Sequence, residues 1–127
     1  ELFRTTGDKQ YEDYLQQQAK RLSEQPGFFT WDNTLALGQF AYLQTAKANP
    51  ALQSSTRKAF LGYADAICGK IAADGFQCAL APQEYTWAST KNALTMGDIL
   101  LMAYQIQPKQ EYLKERYRTP SEAWAEF

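Results

Sequence analysis

The chain contains no valine, and this restricts what it can fold into more than any other feature of the sequence. The frequent residues are Ala, Leu, Gln, Lys and Glu, which favour helices, whereas β-branched residues favour strands. Apolar residues recur every three or four positions between turn residues, which is the spacing of one helix face. The sequence therefore predicts an all-α fold.

Six helical segments are expected, and Pro, Gly and Asn separate several of them. Gly7 and Asp8 fit a left-handed closing residue and an N-cap between the first two segments. The third and fifth segments contain few charges, so we expect them to be buried on nearly all sides, while their neighbours are amphipathic. This alternation predicts αα-hairpin repeats. The expected segments cover residues 2–5, 9–23, 31–48, 51–71, 89–105 and 109–117.

One short motif occurs twice, each time ahead of an apolar stretch. Residues 29–33 read Phe-Thr-Trp-Asp-Asn, and residues 85–89 read Tyr-Thr-Trp-Ala-Ser. The second copy follows a long loop over residues 72–86, and long loops in compact domains are often functional. Trp31 and Trp87 are therefore expected where a helix begins, as parts of a site or as plugs of the core.

Composition argues against several classes of function. The net charge is −1, from 13 basic and 14 acidic residues spread evenly, which is not typical of a nucleic-acid-binding protein. There is no histidine, so the two cysteines make a zinc site improbable, and no metal or cofactor is expected. A disulfide between Cys68 and Cys78 remains open if the protein is secreted.

Two further observations concern membranes and targeting. No window of about 18 apolar residues exists, so no membrane span is expected. The first four residues, Glu-Leu-Phe-Arg, do not resemble a signal peptide, and the chain begins as if cut from a longer protein.

Three segments in order resemble family-9 glycoside hydrolases. Residues 1–15 resemble the junctions before outer helices in that family, and residues 29–33 resemble a Trp-Asp-Asn stretch that opens an inner helix. Residues 85–92, followed by Leu-Leu-Met-Ala-Tyr at 100–104, are similar to the family's Trp-Gly-Ser-Asn segment and the helix after it. The resemblance covers roughly residues 1–113.

The resemblance implies an inverting β-1,4-glucanase with an (α/α)6 barrel, of which this chain is a partial toroid from the middle of the catalytic domain. It also implies that Trp31 and Trp87 stack on glucosyl rings, and that Asp32 and Tyr85 line the substrate site. The expected partner is β-glucan or an oligosaccharide. The whole enzyme would be secreted or periplasmic.

The chain also departs from the family pattern. It has neither the Asp-Ala-Gly-Asp motif that supplies the catalytic base nor the glutamate acid, so no catalytic residue and no turnover are expected from these residues. Ala88 replaces the usual glycine. We expect residues 1–127 to form a single helical unit of a larger domain, in which residues 117–127 form a divergent tail.

Competing interpretations remain for the residues and for the whole chain. Asp32 is either a sugar ligand or a first-turn carboxylate favoured by the helix dipole. Asp98, in an apolar helix, is expected to be paired or protonated. The main alternative function is a non-catalytic helical-repeat module that binds proteins, with self-association through exposed apolar helix faces.

Overall fold

A computed structural model describes residues 1–87 and 89–115. The regular structure of these residues consists of helices and contains no strand, which confirms the all-α prediction. The expected tail over residues 117–127 lies outside the described residues. The helices are α1 (Leu2–Thr6), α2 (Lys9–Gln17), α3 (Ala19–Leu22), α4 (Leu35–Leu43), α5 (Pro50–Ala73), α6 (Ser89–Ile106) and α7 (Gln110–Glu115), with a 3₁₀ helix at Pro82–Glu84.

The chain divides into two compact units, Glu1–Tyr63 and Ala64–Phe127, and the boundary lies within α5. The first unit contains α1 to α4 and the first part of α5. The second contains the remainder of α5, the 3₁₀ helix, α6 and α7. The expected single helical unit within a larger catalytic domain stays a prediction.

In the first unit, the predicted turn between α1 and α2 is confirmed. Gly7 ends α1 with φ 68°, a left-handed conformation that glycine adopts without steric cost. Asp8 caps α2, since its carboxylate accepts a hydrogen bond from the Gln10 backbone N–H at 3.0 Å. One hydrophobic cluster in the core of this unit consists of the buried residues Phe3, Leu22, Tyr42, Ala48 and Leu52.

A carboxylate on α2 connects three elements of the same unit. Glu12 Oε1 accepts hydrogen bonds from the Tyr42 hydroxyl at 3.1 Å and from the Asn49 backbone N–H at 3.0 Å. Burial, followed by the nearby Glu12 charge, raises the pKa of Tyr42 to about 12. The contact ties α2 to α4 and to the start of α5.

The helix expected over residues 31–48 is much shorter than predicted, because α4 spans only Leu35–Leu43. A tight turn occupies residues 30–33, and after α4 the Thr45 backbone N–H donates to the Tyr42 carbonyl in a further turn. The expectation of burial on nearly all sides was also wrong, since Leu37 is 39% exposed. The helix expected over residues 9–23 is interrupted at Gln18, between α2 and α3.

In the second unit, the helix predicted over residues 89–105 is confirmed as α6, and the helix predicted over 51–71 is confirmed as the longer α5. Leu94 and Leu101 are exposed, so α6 also keeps an open face in this chain. Asp65 on α5 accepts hydrogen bonds from the Lys109 ammonium and the Tyr112 hydroxyl, each at 2.8 Å. These bonds hold α7 and the turn before it against α5.

Candidate functional site

Trp31 lies on a short turn within the connection over residues 24–34, which we call the first tryptophan loop. The Thr30 backbone N–H donates to the Asn33 carbonyl at 2.8 Å, and the Asn33 backbone N–H donates to the Thr30 hydroxyl at 3.1 Å. These two bonds close the turn across Trp31, whose side chain is 90% exposed. The structure therefore places this ring at the surface and not in the core.

Two amide side chains hold the first tryptophan loop to the helices beside it. The Asn33 amide donates to the Pro26 carbonyl at 3.0 Å, and its oxygen accepts from the Leu35 backbone N–H at 3.3 Å. Gln39 is fully buried and donates to the carbonyls of Leu22 and Glu24 at 2.9 and 2.8 Å. The loop is thus fixed by neutral groups at both its ends.

Asp32 lies beside Trp31 on the same turn and is exposed. The Thr30 hydroxyl donates a hydrogen bond to its carboxylate. The interpretation of Asp32 as a first-turn carboxylate was wrong, because α4 begins only at Leu35 and its first turn contains no acidic residue. Its carboxylate therefore stabilises a turn, and it stays a predicted sugar ligand.

Trp87 lies at the end of a second connection, over residues 74–87, which we call the second tryptophan loop. Its first half is organised by Asp74, whose Oδ2 accepts from the backbone N–H groups of Phe76 and Cys78 at 3.0 and 2.9 Å. The Gln77 backbone N–H donates to the Asp74 carbonyl at 3.0 Å, and Gln77 adopts a left-handed φ of 56°. Asp74 thus holds the backbone of three consecutive residues, 76 to 78.

The second half of this loop is organised by Glu84. Its carboxylate accepts from the Ala81 backbone N–H at 2.7 Å and pairs with the Lys70 ammonium of α5 at 3.2 Å. The Thr86 N–H donates to the Glu84 carbonyl and the Ser89 N–H donates to the Thr86 carbonyl, so the backbone on either side of Trp87 is also bonded. Trp87 itself is 97% exposed.

Tyr85 connects the two halves of the second tryptophan loop. Its hydroxyl lies 2.8 Å from the Cys78 sulfur, within hydrogen-bond distance. This contact, with a smaller effect of burial, raises the pKa of Tyr85 to about 12. The ring remains 57% exposed. The structure therefore places the two predicted residues of this loop, Tyr85 and Trp87, at its surface.

The two cysteines are free thiols in the structure. Cys68 is buried on α5, and burial, followed by the charges of Glu111 and Glu115, raises the pKa of its thiol to about 11. Cys78 instead contacts Tyr85 as described above. The disulfide that the sequence left open is absent between these two residues.

The sequence reasoning missed Phe76, which is 96% exposed at the start of the second tryptophan loop. Its signal was the Asp-Gly pair at residues 74–75, which is typical of a tight turn and places an aromatic residue at the tip. The sequence reasoning also treated Asp98 as buried, but the residue is exposed on α6. Partial burial of its carboxyl group raises the pKa of Asp98 above its ordinary value.

Within residues 1–87 and 89–115, no group of three or more metal-binding side chains lies together. No helix among them is both long and apolar enough to span a membrane. Cavities of about 330 and 290 Å³ lie beside Gly7 in the first unit and beside Cys78 in the second, and neither is lined by Trp31, Asp32, Tyr85 or Trp87.

Known proteins resemble the chain in both sequence and structure, although no protein-family profile matches it. The xyloglucan-specific endo-β-1,4-glucanase BoGH9A of Bacteroides ovatus is 28% identical over 125 residues, which are 93% of this chain and 21% of that protein. The crystal structure of family-9 endoglucanase J30 matches with a TM-score of 0.90 and 30% identity, over 97% of this chain and 22% of that one. A metagenome-derived family-9 endoglucanase matches with a TM-score of 0.85 and 27% identity, over 93% and 22%.

The chain is similar to part of the family-9 glycoside hydrolases. This confirms the resemblance read from residues 1–113, and the all-helical structure agrees with the (α/α)6 fold of that family. The chain spans about a fifth of the length of the family-9 proteins it matches. The similarity covers both tryptophan loops, because it extends over more than nine-tenths of the chain.

Proposed function

We propose that this chain is part of a glycoside hydrolase that acts by inversion on β-1,4-linked glucan or a related oligosaccharide. The observation that supports this most is the pair of almost fully exposed tryptophans, each on a loop held by internal hydrogen bonds, in a chain similar to family-9 endoglucanases. An exposed tryptophan offers a large flat apolar face to a ligand, and here both rings lie on ordered turns.

Each proposed site residue has a distinct role. The axial C–H face of a β-linked glucosyl ring is flat and apolar, so the indoles of Trp31 and Trp87 would cover it and remove it from water. Asp32 would accept hydrogen bonds from sugar hydroxyls through its exposed carboxylate. Tyr85 would offer a ring edge and a hydroxyl from the second tryptophan loop.

The chain would supply sugar contacts but no catalytic group. Inverting hydrolysis needs a carboxylic acid and a carboxylate about 6.5–9.5 Å apart on opposite sides of the scissile bond. In the second tryptophan loop, Asp74 is committed to backbone N–H groups, and Glu84 is committed to Ala81 and Lys70. We therefore assign the acid and the base to other parts of the whole enzyme.

The proposed substrate also determines where the whole enzyme would work. A glucan polymer is too large to cross a membrane unaided, so its hydrolysis takes place outside the cytoplasm. We accordingly propose a secreted or periplasmic location for the whole enzyme.

A titration with cello-oligosaccharides tests the proposal. The chain should show saturable tryptophan quenching, and Trp31→Phe and Trp87→Phe should each remove part of the signal and weaken binding. Its hydrolysis of a soluble β-glucan should stay at the level of a buffer blank. Unchanged quenching in both variants would contradict the assigned rings, and measurable turnover would contradict the absence of catalytic groups.

A second candidate is a helical-repeat module that binds protein, including a second copy of itself. The exposure of Leu94 and Leu101 on α6 favours it, because residues seven positions apart lie on one helix face and grouped exposed apolar side chains mark docking surfaces. Leu37 on α4 is exposed as well. In that case the chain should form concentration-dependent oligomers in sedimentation, and Leu94→Gln with Leu101→Gln should abolish them. Sugar should then leave the fluorescence unchanged.

A further inference from the structure

We infer that Phe76 is a third sugar-contacting ring, and that the second tryptophan loop presents three exposed aromatic rings to an uncharged polysaccharide chain. This inference rests on the proposed function and adds to it a residue that neither the motif nor the fold had indicated.

The second tryptophan loop exposes three aromatic rings. Phe76, Tyr85 and Trp87 are 96%, 57% and 97% exposed, and all three belong to one connection of 14 residues in the second unit. Single exposed apolar residues scattered over a surface are normal, but three aromatic rings within one connection are not scattered. A concentration of this kind is typical of a binding surface.

Hydrogen bonds to Asp74 hold the backbone at Phe76. The Phe76 N–H donates to the Asp74 carboxylate at 3.0 Å, and the residues on both sides of it are bonded to Asp74 or follow it directly. A backbone fixed in this way loses little conformational freedom when a ligand binds, so binding at the tip costs less entropy. The backbone that carries the Phe76 ring is therefore preorganised.

A short contact connects the part of the loop near Phe76 to the part that contains Tyr85 and Trp87. Cys78 lies two residues beyond Phe76, so their Cα atoms are at most about 7.6 Å apart. The Cys78 sulfur is 2.8 Å from the Tyr85 hydroxyl, and Trp87 follows Tyr85 by two residues. One short contact thus joins the half of the loop that contains Phe76 to the half that contains the predicted sugar contacts.

The charges of the loop side chains indicate which kind of ligand fits it. Asp74 and Glu84, the two acidic residues of the loop, are half-buried and bonded within it. The remaining exposed side chains are uncharged, since Gln77 and Gln83 are amides and Thr86 is a hydroxyl. Rings that cover apolar sugar faces, beside amides that bond hydroxyls, suit a neutral polysaccharide and offer nothing to a phosphate or a basic peptide.

The experiment measures the affinity of the 127-residue chain for cellohexaose by calorimetry, in the unaltered chain and in single variants. Phe76→Ala should weaken binding about three- to tenfold, the loss of one aromatic contact. Phe76→Tyr should restore it, and Phe76→Leu should not, because leucine is apolar but not flat. Tyr14→Ala is the matched control, since Tyr14 is an aromatic residue that is 60% exposed on α2. The affinity of this variant for cellohexaose should equal that of the unaltered chain.

The outcomes separate this inference from the proposal beneath it. If Trp87→Ala weakens binding while Phe76→Ala binds as the unaltered chain does, the inference is overturned and the proposed function stands. If the unaltered chain binds no cellohexaose, both are overturned. If Tyr14→Ala weakens binding as much as Phe76→Ala, the effect is not specific to the loop and the inference also fails. Circular dichroism of each variant verifies folding.

Discussion

The two tryptophan loops present the same kind of ring by different means. Neutral amides hold the first loop, through Asn33 and the buried Gln39. Carboxylates hold the second, through Asp74 and the Lys70-paired Glu84. A repeated sequence motif is therefore not supported by a repeated local structure. The difference predicts that the first loop depends on amide geometry and the second on charge.

The largest expected effect is in the first loop. Gln39→Leu has nearly the same volume but leaves the Leu22 and Glu24 carbonyls without their donor, and should lower the free energy of unfolding by about 2–3 kcal/mol. Urea denaturation measures it. Gln44→Leu, on an exposed residue at the end of α4, is the control and should change stability by less than about 0.5 kcal/mol. Equal losses of stability in Gln39→Leu and Gln44→Leu would contradict the claim that the Gln39 amide holds the first loop.

A second change exchanges the chemistry of the two loops. Asn33→Asp removes the donor to the Pro26 carbonyl and should cost about 1–2 kcal/mol of unfolding free energy. Asp74→Asn keeps an acceptor for the Phe76 and Cys78 N–H groups but removes the charge that strengthens both bonds, and should cost about 1 kcal/mol. Urea denaturation of both variants under one condition compares the two losses of unfolding free energy. An Asp74→Asn variant as stable as the unaltered chain would contradict the charge dependence of the second loop.

Salt concentration should affect the stability of the two loops differently, by a smaller amount. The Lys70 and Glu84 side chains are 38% and 21% exposed, so their pair is partly screened by water. Glu84→Gln should lower stability by about 0.5 kcal/mol near 0.1 M salt, and by less near 1 M salt. Asn33→Ala, which removes the uncharged amide contact of the first loop with the Pro26 carbonyl, should show no such salt dependence. A salt-independent effect of Glu84→Gln would show that its bond to Ala81 dominates.

The smallest effect concerns titration and not stability at neutral pH. The Cys78 contact raises the pKa of Tyr85, so its neutral form contributes stability that is fully present below the ordinary pKa of 10.0 and is lost as pH rises toward about 12. Cys78→Ala should move the pKa of Tyr85 back toward 10. The absorbance of the tyrosinate, measured against a Tyr85→Phe variant as the blank, reports this pKa. Cys78→Ser, which keeps a hydrogen-bonding group, should retain most of the shift.

Much of the fold was predictable because its signals are local. The Gly7 and Asp8 turn and the spans of α5 and α6 follow from capping residues and helical spacing, and the structure confirms them. The start of α4 was not predictable in this way. Residues 31–34 are compatible with a helix, but the side chain of Asn33 reaches back to the Pro26 carbonyl, and no periodicity encodes that bond.

The candidate site was only partly predictable for the same reason. A tryptophan ahead of an apolar run is visible in the sequence, and the exposure of Trp31 and Trp87 agrees with a surface role. Several contacts that orient these loops join residues seven or more positions apart, such as Cys78 with Tyr85 and Lys70 with Glu84. The Asp-Gly pair predicts a turn before Phe76, but the contact that joins this turn to the Tyr85 part of the loop is not visible in the sequence.

The most direct test of the central claim follows both indole N–H resonances of Trp31 and Trp87 by NMR during a titration with cellohexaose. We predict that both move and reach saturation together, while the amides of Leu94 and Leu101 on α6 stay in place. If neither indole responds at saturating sugar, or if only the α6 amides respond as protein concentration rises, the tryptophan loops are not sugar contacts and the protein-binding alternative replaces them.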